Sequence, residues 1–147
     1  METIDVEFTR LRDAAIPPAR ATEGSAGYDL SACLDAPMTV APGERALVPT
    51  GLRVALPHSG AAAFVFARSG MALKRGLAMA NGVGVIDSDY RGELCVPVIN
   101  LSGEPCEIRH GDRVAQMCLI PVYAARFAET GALSDTERGA GGFGSTG

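Results

Sequence analysis

The first residues of the chain alternate: Ile4, Val6 and Phe8 are apolar, and Asp5 and Glu7 between them are acidic. A period of two sends successive side chains to opposite faces of an extended backbone, so the pattern predicts a strand with one buried face. The alternation returns at Tyr28, Leu30, Ala32 and Leu34, and again at Leu52, Val54 and Leu56, where Pro57 closes it. Met38–Val40 and Ala46–Val48 flank Ala41-Pro42-Gly43-Glu44, whose Pro-Gly pair predicts a turn. Pro17-Pro18 stops regular structure earlier in the chain. Phe64-Val65-Phe66 is a short apolar run that ends at Arg68-Ser69-Gly70, and Val83–Ile86 is another. Further strands are predicted at Gly76–Ala80, Glu93–Asn100, Glu104–Ile108 and Val114–Val122. Pro97 has no N–H to give to a ladder, so its strand is expected at an edge or with a bulge.

One segment has a helical character. In Ser69–Gly76, Ser69 suits an N-cap, Met71, Ala72, Leu73 and Lys74 are good helix formers, and Gly76 suits a left-handed stop. It makes two turns at most. Many short strands and one helical turn predict an all-β fold: a sandwich, a jelly roll or a distorted barrel. With no internal repeat and no linker, the body is expected to be one domain.

Composition narrows the picture. The chain has 147 residues, 47% of them apolar but only 5% aromatic, so the core must come from small aliphatic side chains. The 18 glycines and 9 prolines leave little room for long helices. A net charge of −4 argues against a general nucleic-acid surface, while permitting a local basic pocket. No stretch approaches the roughly 18 apolar residues of a membrane span. Met1-Glu2-Thr3-Ile4-Asp5 has neither a cationic start nor an apolar run, so no secretory signal is expected. Cys33, Cys95, Cys106 and Cys118 are too scattered for a zinc site or a disulfide framework, and fit buried thiols in a reducing cytoplasm.

Several segments carry possible chemistry, and each also fits a plain structural role. Arg68-Ser69-Gly70, opening the short helix, is either an anion site or an ordinary cap. Ile86-Asp87-Ser88-Asp89-Tyr90-Arg91-Gly92 is either a solvated turn or a loop offering a carboxylate as general base or ion ligand, and Asn81 before it carries an amide able to read a base edge. Ala26-Gly27-Tyr28-Asp29-Leu30 places an acid at a strand entry. Gly111-Asp112-Arg113-Val114-Ala115-Gln116 leads a turn into a strand whose alternation Gln116 breaks. The plain expectation is a solvent-facing Gln116, a weak surface pair of Asp112 with Arg113, and core packing for Met117, Cys118 and Leu119. The glycine-rich run from Arg138 to Gly147 has the composition of a disordered tail. Against that stand one aromatic, Phe143, and the donors of Arg138, Ser145 and Thr146, which suit phosphate oxygens.

Taken together and in order, these five segments resemble the five sequence motifs of the trimeric dUTPases (dUTP pyrophosphatases). The resemblance runs from Ala26-Gly27-Tyr28-Asp29-Leu30 to Gly147. Ala67 stands where that family usually has proline before the second motif's arginine, a change that loosens the turn but removes no functional group. The resemblance implies a jelly-roll-like distorted β-barrel assembled as a homotrimer. Each site would take the first, second and fourth motifs from one subunit, the third from another and the tail from the last. It implies hydrolysis of dUTP to dUMP and pyrophosphate with Mg²⁺, which keeps uracil out of DNA and supplies dUMP for thymidylate. By the same resemblance Asp87 activates the attacking water, and Asp29 binds the ion through a water while the substrate phosphates hold it. No strong metal site is expected without nucleotide. Arg68, Ser69, Gly70 and Gln116 would hold the phosphates, and Asn81 with the backbone of Val85, Ile86 and Asp87 would read uracil. Tyr90 would pack under the deoxyribose and exclude a 2′-hydroxyl, and Cys95 would approach the base. Phe143 would stack on uracil while Arg138, Ser145 and Thr146 reach the γ-phosphate. Residues 1–137 would be the β-domain and 138–147 an arm that closes over the nucleotide. The related dCTP deaminases rely on a glutamate in the strand after the third motif, where this chain reads Cys95-Val96-Pro97-Val98. A non-catalytic relative would be expected to lose Asp87 or Tyr90, and both are present.

Overall fold

The computed structural model describes residues 3–144. Among them the strands are β1 (Glu7–Arg10), β2 (Tyr28–Ser31), β3 (Met38–Val40), β4 (Arg45–Pro49), β5 (Leu52–Ala55) and β6 (Ala61–Phe66), then, after the helix α1 (Ser69–Arg75), β7 (Leu77–Met79), β8 (Gly84–Ile86), β9 (Cys95–Asn100), β10 (Cys106–Ile108) and β11 (Arg113–Pro121). Every pairing is antiparallel. The strands form a four-stranded sheet β2-β11-β6-β8, a three-stranded sheet β4-β9-β7, and the two-stranded ribbons β1-β5 and β10-β3. The result is the expected all-β, jelly-roll-like distorted barrel with one short helix.

One core joins these sheets. Leu30, Val40, Val48, Val54, Val65, Val96, Val98, Ile108 and Met117 are buried together, drawn from eight different strands. No aromatic ring is among the buried residues described, as the composition demanded. Two polar side chains are fully enclosed, and both are satisfied. Asn100 Nδ2 donates to the carbonyls of Val40 (2.9 Å) and Glu104 (2.8 Å), and its Oδ1 accepts from the Ser102 N–H and hydroxyl at 2.9 and 2.7 Å. Thr50 Oγ1 donates to the Leu94 carbonyl at 2.6 Å. Buried groups paired in this way fix register, since any slip would leave them unsatisfied at about 1–3 kcal/mol each.

Three local expectations are corrected. Pro97 lies in the middle strand of the β4-β9-β7 sheet, not at an edge, and β9 keeps an unbroken register on both sides. Its carbonyl accepts from Ala80 N–H at 2.9 Å, on the side toward β7 and just past that strand's last residue, Met79. In a strand a residue's N–H and C=O point the same way, so the missing donor falls where β7 has already ended. The N-cap of α1 is Arg68, with no side-chain cap bond, and Ser69 is the first helical residue. Gly76 is the expected left-handed stop (φ 66°), and a Cβ there would meet Ser102 at 2.6 Å. Finally, Met117 is buried and Leu119 packs against the core as expected, but Cys118 is only half-buried and faces a cleft.

All four cysteines are free thiols. The last strand ends at Pro121, and Val122 N–H still bonds the Gly60 carbonyl at 3.0 Å. From there to residue 144 no strand or helix forms, and Tyr123, Phe127 and Leu133 are 97, 95 and 89% exposed. Among the described residues no helix is long and apolar enough to cross a membrane.

Candidate functional site

Strand register gathers the site. In β11, Gln116 stands directly opposite Asp29 of β2 on one side and Phe66 of β6 on the other. Residues paired across antiparallel strands share a face, so the carboxylate and the amide point into the same space. The chain leaves β6 at Phe66, so Ala67 and Arg68 emerge beside that pair. Gln116 Nε2 donates to the Ala67 carbonyl at 3.0 Å.

Asp29 is the electrostatic centre. Its Oδ1 lies 2.7 Å from Arg68 Nε and its Oδ2 3.1 Å from Arg113 Nη1, and its side chain is only 15% exposed. Arg68 Nη1 also donates to the Arg113 carbonyl at 3.4 Å. Two guanidinium groups against one carboxylate leave one excess positive charge. Around it opens a cleft of about 590 Å³, lined among others by Ser25, Gly27, Ser69, Gly70 and Cys118. Gly27 is there for a steric reason: a Cβ would sit 2.7 Å from Gln116 Oε1.

Arg113 is the residue that sequence reasoning placed wrongly. It was expected to pair weakly with Asp112, yet Arg113 pairs with Asp29 and Asp112 pairs with Arg75 at 2.9 Å. The cause is a register shift between Arg113 and Ala115, an irregularity of the β-bulge kind. Residues three apart in a regular strand face opposite ways, but one extra residue returns Arg113 to the face of Gln116. The signal was present in the sequence: Val114 and Ala115 are adjacent and both buried, which a strict period of two forbids. Burial would push the Asp112 carboxyl up, but the Arg109 N–H and the Arg75 guanidinium outweigh it and hold the group below its ordinary range.

The third segment lies elsewhere on the chain. Asn81 is exposed in the turn between β7 and β8, beside Gly82 (φ 73°), whose N–H bonds the Met79 carbonyl at 3.2 Å. Val85 is exposed on β8, and Asp87 is exposed just after Ile86. The loop that follows is tightly tied: Tyr90 N–H donates to the Asp87 carbonyl (3.1 Å), and Arg91 Nη1 donates to the carbonyls of Ser88 (2.8 Å) and Tyr90 (2.9 Å). The Tyr90 hydroxyl donates to the Glu93 carbonyl at 3.0 Å, and its ring lies so close over Gly92 that no Cβ would fit there. None of these residues lines the Asp29 cleft of the same chain. Cys95, the first residue of β9, is half-buried; burial and the Glu93 charge, opposed by Arg12, hold its thiol above the ordinary range, so it is protonated at neutral pH.

In the tail, Arg138 Nε donates to the Gly141 carbonyl at 2.9 Å, and Phe143 is exposed with φ 51°. Ser145 and Thr146 lie outside the described residues. No three acidic, His or Cys side chains gather to hold a metal among the described residues. The group on offer to an ion is the Asp29 carboxylate, both oxygens of which already meet arginines. That donor set fits an ion brought in by an anionic ligand and reached through water, and not one held directly by the protein.

Fold and site together define an all-β protein with an arginine-rich cleft shaped for an anionic ligand. Comparison with known proteins gives the family. The dUTPase family model matches residues 13–147. The chain is 54% identical over its whole length to the deoxyuridine 5'-triphosphate nucleotidohydrolase of Desulfitobacterium hafniense, covering 99% of that protein. It is 52% identical to the enzyme of the same name from Roseobacter denitrificans, over 92% of this chain and 90% of that one. Among solved structures it superposes on the dUTPase of Staphylococcus bacteriophage 80alpha with dUpNHpp, with a TM-score of 0.89, 25% identity and 99% of both chains covered. A phage phi11 dUTPase, described for its coordination of a structural Mg(II) ion, superposes with a TM-score of 0.78 at 22% identity, over 90% of this chain and all of that one. The chain belongs to the dUTPase family, a family of hydrolases.

Proposed function

We propose that this protein hydrolyses dUTP to dUMP and pyrophosphate, in the cytoplasm, as a homotrimer with shared sites. The observation that carries the reading is the register that sets Asp29, Arg68, Arg113 and Gln116 around one cleft with Ser69 and Gly70. Arg68, Ser69, Gly70 and Gln116 hold the phosphate chain, whose charge the excess arginine offsets. Asn81 and the backbone of Val85, Ile86 and Asp87 read the uracil edge. A site that fixes donors and acceptors for uracil rejects cytosine, which leaves them mismatched and buried. Tyr90, locked by its bond to Glu93, closes the space a 2′-hydroxyl needs.

Water attacks the α-phosphorus, Asp87 takes its proton, and pyrophosphate leaves, so that dUMP and pyrophosphate account for all atoms of dUTP and water. Magnesium, when bound, supplies charge neutralisation at the phosphates, and Asp29 is the residue that would hold it, through water. Asp87 does not line the Asp29 cleft of its own chain, which supports a site completed by a second subunit. The exposed apolar side chains of residues 123–144 support an arm that finds its packing on nucleotide and neighbouring chains, Phe143 stacking on the base and Arg138, Ser145 and Thr146 on the γ-phosphate. Residues 138–147 are the part of that arm that closes.

The test is to incubate the full chain and Mg²⁺ with dUTP and, separately, with each of the eight common nucleoside triphosphates and measure pyrophosphate. Release from dUTP alone among them is the expected result. Comparable release from UTP would remove Tyr90 from its role, and release from none would overturn the proposal.

A further inference from the structure

Arg75 and Asp112 have no assigned chemistry and do not line the cleft, yet they close a circuit of contacts with residues that do. Arg75, the last residue of α1, donates through Nη1 to Asp112 Oδ2 at 2.9 Å, and each side chain is 31% exposed. The same carboxylate oxygen accepts the Arg109 N–H at 3.0 Å, and the Asp112 carbonyl accepts the Ala32 N–H at 2.8 Å, so Asp112 is anchored to the strand body. Its neighbour Arg113 pairs with Asp29, Asp29 pairs with Arg68, and Arg68 leads directly into α1. The circuit thus runs Arg68, Asp29, Arg113, Asp112, Arg75 and back along the helix, with Ser69 and Gly70 on it.

The helix has few other restraints. Met71 is its one buried residue, and Leu73 stands exposed. Beyond it, Gly76 is tied by its carbonyl to Leu101 N–H at 2.8 Å. Arg75 and Asp112 line a separate hollow of about 690 Å³ that shares no lining residue with the cleft.

We infer that the Arg75–Asp112 pair is a strut that fixes the helix, and with it Ser69 and Gly70, at the spacing from Arg113 and Gln116 that a triphosphate requires. Arg75 is therefore a positioning residue, acting through α1 and touching no substrate atom. The inference rests on the dUTP-hydrolysis reading and deepens it. A strut of this kind acts on the β- and γ-phosphates and leaves nucleoside monophosphate binding alone.

The experiment measures KM and kcat for dUTP, and dissociation constants for dUpNHpp and for dUMP, in the full chain and in Arg75→Met, Arg75→Lys and Asp112→Asn. In Arg75→Met, KM and the dUpNHpp dissociation constant are expected to rise about fivefold, the order of one partly exposed charged hydrogen bond, with dUMP binding changed less than about twofold. Arg75→Lys should recover part of the loss, and Asp112→Asn, which keeps an acceptor for the Arg109 N–H, should reproduce Arg75→Met even if that variant fails to fold. Equal weakening of dUpNHpp and dUMP, or of neither, overturns the strut while the parent protein still cleaves dUTP. A parent protein that releases no pyrophosphate from dUTP overturns the functional reading instead, and the strut with it.

Discussion

Gly27→Ala separates stability from activity at one atom. Gly27 is not in the left-handed region, so alanine can adopt its backbone conformation. Removing a glycine from the unfolded ensemble contributes about 0.4–1 kcal/mol of stability. The new Cβ, however, would lie 2.7 Å from Gln116 Oε1, 3.2 Å from its Cβ and 3.3 Å from its Cδ. Three close atoms along one side chain cannot be relieved by turning the terminal amide alone. Gln116 must leave its rotamer and give up the 3.0 Å bond from Nε2 to the Ala67 carbonyl, a loss of about 1 kcal/mol.

The two stability terms nearly cancel, so the melting temperature should barely move. Activity should not be spared, because an amide displaced by about 1 Å from a phosphate oxygen costs up to roughly 100-fold in rate. Steady-state kinetics on dUTP with parallel thermal melts test this, together with Gln116→Ala and the double variant. The expected outcome is a loss of kcat/KM of at least tenfold for Gly27→Ala, with no further loss when Gly27→Ala is added to Gln116→Ala. If Gly27→Ala keeps kcat/KM within about twofold, or if the two losses simply add, the close packing of Gln116 on Gly27 has no functional meaning and the reasoning fails.

Asp87→Asn should bind dUpNHpp as the parent does while turning over dUTP orders of magnitude more slowly, since the amide cannot accept the water's proton; near-normal turnover would clear Asp87 of that role. Removal of Gly139–Gly147 should leave the thermal melt unchanged, because residues 139–144 add no strand, and abolish most activity; a truncated chain that unfolds would make the tail structural. The Asp112 carboxyl lies below its ordinary range in the folded protein, so its contribution to stability is present above the unfolded value near pH 3.9 and is lost as pH falls through the folded one. Urea unfolding of the parent and Asp112→Asn should therefore differ most near neutral pH and converge below about pH 4; a gap that widened in acid would contradict the pairing.

The β-architecture was legible where strands carry a period of two against the core, as in β5, β7, β9 and β10. Met38–Val40 is a strand over those same residues, and Gly76 ends the helix as its freedom at positive φ suggested. Two local rules misled. Pro97 argued for an edge because a proline costs a donor, but that cost vanishes where the neighbouring strand stops, and sequence does not show where β7 ends relative to β9. Ser69 argued for a cap by its residue type, whereas the turn out of β6 places Arg68 at that position, and its guanidinium, which has no acceptor to offer a helix N–H, pairs with Asp29.

The site shows a different limit. Residue types and their order along the chain identified Asp29, Arg68 and Gln116, and pairing across β2, β11 and β6 supplies the reason they meet. Charge partners were not legible from proximity in sequence: Asp112 and Arg113 are adjacent, yet a bulge turns one toward the cleft and the other toward α1. Side chains at i and i+1 of a strand point to opposite faces, so each charge should be matched first to a residue on the neighbouring strand or helix. Asp87, just past the end of β8, does not line the Asp29 cleft of its own chain. On the proposed mechanism, which uses both carboxylates, a second copy of the chain would have to supply one of them.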